Sequence, residues 1–159
     1  MKVRVHFPNN EDSTVFVYKQ DQLFLTMKRK FHIGSKKTGK IYSNDELIFE
    51  VSDFLLGLKI KHQSIGANVK VLGRGFYNSV FSINNADLLK IKDNIFYIFY
   101  KKYFSKIYWN SILIANVSLC KILDPDGVSL EVIFVDDVDE EKQFVSLVCY
   151  LASALNLNI

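Results

Sequence analysis

Residues 139–156 constrain the fold of this chain more than any other segment. An acidic lead-in (Asp136, Asp137, Asp139, Glu140, Glu141) is followed by Phe144-Val-Ser-Leu-Val-Cys-Tyr-Leu-Ala-Ser-Ala-Leu155, which is apolar on nearly every side. A helix apolar all round must be wrapped by other elements. The run covers only residues 144–155 and is broken by Ser146 and Ser153, whereas a bilayer span takes about 20 apolar residues. We therefore expect a buried helix over 139–156 and no transmembrane span. Asp137 and Glu140 have capping-box spacing, and the acids suit the positive end of a helix dipole. Gln143, Ser146, Tyr150 and Ser153 form a narrow, weakly polar stripe that suits strand backbones or trapped water.

Sheet is the expected wrapper, because the preceding residues repeat a period-2 alternation broken by turn residues. Val3, Val5 and Phe7 alternate with Lys2, Arg4 and His6. Further strands are expected at 15–19, 23–27, 47–51, 58–65, 69–72, 79–83, 88–91, 95–100, 107–109, 112–119 and 130–135. Phe31-His-Ile33, a Gly34–Gly39 loop and Ile41-Tyr42 read as a hairpin. Gln20-Asp21, Asn44-Asp45, Asn84-Asn85, Asn110-Ser111 and Asp124-Pro-Asp-Gly127 supply turn chemistry. About a dozen short strands at roughly 8–12-residue spacing argue against a βαβ fold. With 159 residues there is room for one domain with a sizeable core. The expected fold is mainly β: residues 1–159 form a closed antiparallel barrel of about twelve strands around the C-terminal helix.

The terminal run 139–155, the strand Leu130–Val135 before it, the hairpin Phe31–Ile41 and the strand Glu46–Val51 together resemble the tubby C-terminal-like superfamily, which includes LURP-one-related proteins and phospholipid scramblases. The resemblance covers most of the chain as an order of elements. It implies a tubby-like barrel wound around a hydrophobic helix. It also implies a setting in which Lys and Arg on the barrel bind phosphoinositide headgroups at a membrane. No residue of the tubby lipid site is carried over.

Catalytic chemistry is not expected. His6, His32 and His62 fall on three different strands without metal-ligand spacing. Cys120 and Cys149 read as small buried hydrophobes, a usage that suits a reducing cytoplasm. Asp124–Gly127 lacks the later acids of a calcium loop, with Val128 and Val135 where an EF-hand has ligands. Gly73-Arg-Gly75 has no phosphate-loop context and reads as a bulge or bend. No Ser/His/Asp or paired-carboxylate constellation assembles, so neither an enzyme nor a cofactor is expected. Residues 1–20 carry Lys2, Arg4, Glu11, Asp12 and Lys19 and lack the apolar core of a signal peptide.

The net charge of +3 hides a division. Residues 1–121 hold 19 Lys/Arg against 9 Asp/Glu, and residues 122–159 hold 1 against 8. Lys59, Lys61, Lys70, Lys90 and Lys92 alternate with apolar neighbours and should point outward. Lys28, Arg29, Lys30, Lys36, Lys37 and Lys40 gather if residues 27–42 form a hairpin, and they are the candidate anion site. Lys101, Lys102 and Lys106 form a further group. Such surfaces suit an anionic phospholipid membrane or an acidic protein, with the chain cytoplasmic and peripheral to the membrane. The alternative is an interaction module of the small bacterial-partner or immunity type, using aromatics near Tyr100–Trp109. Nucleic acid is disfavoured, because Arg, the residue for bidentate contacts, occurs only at Arg4, Arg29 and Arg74.

Overall fold

The structure, a computed structural model, describes residues 1–9, 13–54, 57–75, 78–94, 104–120 and 126–156. Its strands are β1 (Lys2–Pro8), β2 (Thr14–Lys19), β3 (Gln22–Phe31), β4 (Lys37–Ser43), β5 (Glu46–Phe54) and β6 (Gly57–Gln63). The second half holds β7 (Val69–Arg74), β8 (Asn78–Ile83), β9 (Asp87–Asp93), β10 (Ser105–Trp109), β11 (Ile112–Leu119) and β12 (Gly127–Phe134). Helix α1 (Glu140–Ser153) follows, and a 3-10 turn over Ala154–Asn156 extends it. The helix expected over 139–156 and the strands around it are therefore present. The segment expected as a strand at 95–100 lies outside the described residues.

Period-2 alternation makes each strand amphipathic, and the sheet curls to put its apolar face inside. Val3, Val5 and Phe7 of β1 are buried, as are Leu25 and Met27 of β3 and Leu130, Val132 and Phe134 of β12. The twelve strands form one antiparallel sheet in the order β6-β5-β4-β3-β2-β1-β12-β11-β10-β9-β8-β7. The β1–β12 ladder joins the ends of the chain, with Val5 opposite Leu130. The sheet curls into a nearly closed barrel whose remaining seam lies between β6 and β7. Val145, Leu147, Val148, Leu151 and Leu155 of the helical segment are fully enclosed by it.

The two ends of the barrel differ. At the turn end, Gln20-Asp21, Asn44-Asp45, Asn84-Asn85 and Asn110-Ser111 all have φ between +47° and +69°. Positive φ at both central residues is the type I′ hairpin requirement, and Asn and Asp tolerate it best among side-chain-bearing residues. The opposite, loop end is where β1 meets β2 and β3 meets β4, the latter through residues 32–36. Helix α1 enters from the turn end and finishes near the loop end.

Two expectations are corrected here. The helix is capped by Asp139, whose carboxylate accepts from the Lys142 N–H at 2.8 Å. Asp137 instead adopts φ +70° and turns the chain inward from β12, so it cannot act as the cap. The hairpin loop is also shorter than expected, because β3 runs to Phe31 and β4 begins at Lys37, placing Gly39 inside a strand. A Cβ at Gly39 would lie 3.1 Å from the Leu155 side chain. Glycine there is a seat for the end of the helix.

Candidate anion-binding face

The β3–β4 ladder decides which expected cations meet. Lys28 stands opposite Lys40, and Lys30 opposite Thr38, all on the outer face. Lys28, Lys30 and Lys40 are exposed and border a shallow depression with Ser13 and Thr14. The Lys28 ammonium lies 4.9 Å from the centre of the Tyr42 ring, and Lys40 has Glu50 at 3.8 Å. Lys36 is exposed in the turn after Gly34 and Ser35. Like charges directly opposed across a ladder repel, and here Glu50 beside Lys40 and the Tyr42 ring under Lys28 offset that repulsion.

Two members of the expected group point inward instead of standing on that outer face, although Arg29 also lines the depression. Arg29 shares the inward parity of Leu25 and Met27 and is only 6% exposed. Its guanidinium donates to Ser13 Oγ at 2.9 Å and lies 5.7 Å from the Phe7 ring centre. Lys37 shares the parity of Gly39 and Ile41, faces the inner rim, and holds its ammonium 4.7 Å from the Phe31 ring centre. The reason is the period of 2 itself: consecutive residues of a strand cannot face the same side.

Elsewhere the outward lysines stand as expected. Lys59, Lys61, Lys70, Lys90 and Lys92 are exposed, and Lys92 is paired opposite Lys106. Lys101 and Lys102 lie outside the described residues. The histidines stay apart: His6 meets Ser129, and His32 meets Thr38. Among the described residues no group of His, Cys, Asp and Glu is placed to hold a metal. Cys120 and Cys149 are both buried, and burial pushes the Cys149 thiol far up. A bulge does lie beside the Gly73-Arg-Gly75 stretch, at Leu72 between Val71 and Gly73.

A polar cluster at the loop end of the barrel interior was not anticipated from the sequence. Arg74 on β7 binds the Asp53 carboxylate on β5 and donates to the Ser153 carbonyl of α1 at 3.2 Å. Beside it, the Ser105 hydroxyl donates to Asp93 at 2.7 Å. Burial pushes the Asp93 carboxyl above the usual carboxylate range, while Ser105 and the charge of Arg74 pull it back. Burial also raises the Tyr150 phenol; the Asp93 charge adds to that, and Ser105 opposes it. The available signal was an interior parity: Asp53 falls in step with Val51, and Asp93 in step with Leu89 and Ile91.

No family model, curated protein or solved structure matches the chain. No helix among the described residues is long and apolar enough to cross a membrane.

Proposed function

We propose that this chain is a tubby-like binding barrel, cytoplasmic and peripheral to a membrane, whose outer β3–β4 face takes anionic lipid headgroups without catalysis. The observation that carries the reading is the opposed Lys28–Lys40 pair with Lys30 beside it, three exposed cations on one outer face. Exposed Lys36 extends the same charge toward the loop end. Each basic group near an anionic bilayer contributes about 1 kcal/mol, screened over about 8 Å at physiological salt. Several together give reversible, salt-sensitive docking. The barrel order and the enclosed helix support the tubby-like reading of the fold.

The test is co-sedimentation with vesicles containing phosphatidylserine or a phosphoinositide at low salt, compared with neutral vesicles. Binding to the anionic vesicles only, falling with salt and lost in a K28E/K30E/K36E variant of unchanged melting temperature, is expected. Arg29 and Lys37 are left intact, because replacing inward residues would confuse lost binding with lost folding. Wild-type protein that ignores anionic vesicles at low salt ends the lipid reading.

A further inference from the structure

The β6–β7 seam is the one interruption in the ladder around the described sheet. The two strands are joined at the turn end by residues 64–68, and no backbone hydrogen bond links β6 to β7 among the described residues. Only side-chain and loop contacts close that end, with Gln63 Oε1 accepting from the Val69 N–H at 2.8 Å. Between them runs a shallow groove lined by Leu58–Gln63 and Asn68–Val71. Unpaired strand edges are templates for another strand, because their N–H and C=O groups lack ladder partners.

We propose that this seam accepts a short extended segment of an acidic partner protein by strand addition. The parity of the edges specifies the segment. Lys59, Lys61 and Lys70 stand exposed on the outer side of the groove. Leu58 and Val69 are buried on its inner side, with Ile60 and Val71 half-buried above them. A strand seated there would place alternate residues among the three lysines and the intervening ones over the aliphatics, which selects an acidic–aliphatic alternation such as Glu-Val-Glu-Val. A second copy of the chain is the wrong occupant, since edge pairing between copies would bring these lysines together. Bulges limit the straight template: Lys61 is the extra residue of β6, and Leu72 that of β7. The accepted segment is therefore short, held by Gly57–Ile60 or, once Gln63 releases the Val69 N–H, by Val69–Val71, with Lys59 or Lys70 on the ladder and the other lysines flanking it.

The experiment uses the whole chain and a blocked (Glu-Val)4 peptide, with (Lys-Val)4 as its counterpart, read by fluorescence anisotropy and backbone amide exchange. The acidic peptide should bind at low salt, weaken as salt rises, and slow exchange of edge amides in 57–62 and 69–72. The lysine peptide should do neither. A K59Q/K61Q/K70Q variant, altered only at exposed positions, should bind about tenfold more weakly with unchanged exchange in the rest of the barrel. Absence of binding by (Glu-Val)4 at low salt overturns the proposal, as does protection confined to the β3–β4 amides. Concentration-dependent self-association that protects the seam would make a second copy the occupant, and seam protection by anionic vesicles alone would make it a lipid site. No lipid enters the peptide arms, so their outcome is separate from that of the headgroup reading.

Discussion

Arg29 shows what a charge run means inside a strand. Read as composition, Lys28-Arg-Lys30 is one basic cluster; read as pleat, it is two outward lysines and an inward arginine. The guanidinium is tolerated inside because Ser13 and the Phe7 ring meet it. Two other interior polar groups have measurable consequences. The Ser146 hydroxyl is fully buried and has no hydrogen-bond partner among the described residues. An unsatisfied buried hydroxyl costs about 1–3 kcal/mol, so Ser146→Ala should stabilise the protein and raise Tm by about 2–4 °C or more, read by calorimetry. Asp93 supplies a pH dependence. Its folded-state pKa is raised, so the folded chain holds a proton that the unfolded chain has released. Stability from this group falls as pH climbs from the ordinary carboxylate range to the raised value, and the charged form remains a burden above it. Asp93→Asn should remove that slope and leave the variant at least as stable as the parent at neutral pH, measured by denaturant titration across the acid range.

At the scale of elements, the seam is closed from inside by a clasp in place of a ladder. Arg74 on β7 reaches past β6 to Asp53 on β5 and also holds the Ser153 carbonyl. Helix α1 has no basic residue in its last turn, so Arg74 supplies the cation that its C-terminal dipole favours. Both side chains are largely buried, at 16% and 12% exposure. Removing one partner leaves the other's charge buried without this ion pair, and such losses cost about 3–5 kcal/mol, whereas replacing both with aliphatics is often far milder. Arg74→Met should therefore destabilise strongly and speed amide exchange in β6 and β7, while R74M/D53L recovers much of the loss. Recovery absent from the double variant would mean that the Ser153 contact dominates. Strands and turns were legible in the sequence because each is set by neighbours a few residues apart: Val3, Val5 and Phe7 announce β1, and Asn44-Asp45 announces the β4–β5 hairpin. The clasp was not legible, because Asp53 and Arg74 read separately as ordinary charges at strand ends and become partners only when the barrel nearly closes. The outer pairing of Lys28 with Lys40 was half legible: the hairpin was expected, but its register depended on where the loop ended, and Lys37 and Gly39 belong to β4 rather than to that loop.

For the whole molecule, the decisive relation is between helix and barrel. Its main outline was readable from one end of the chain, since a helix without a polar face has to be enclosed. Enclosure also makes the barrel dependent on the helix. Val145, Leu147, Val148, Leu151 and Leu155 are all within 1% of complete burial. At roughly 1.5–3 kcal/mol for each such side chain, their loss is comparable to the about 5–15 kcal/mol by which a domain is stable. The cost does not stop there, because Phe49, Phe81, Met27 and Ile107 on the strands would face a void in the emptied core. A chain ending at Asp137 should therefore not form the barrel, and circular dichroism and amide exchange should show no cooperative unfolding transition. Adding a synthetic peptide of residues 138–156 should restore that transition in a concentration-dependent way, as expected when an enclosed element binds only the folded form. A truncated chain that melts cooperatively as a monomer without the peptide would show that the sheet carries its own core, contrary to the burial of α1 on every side.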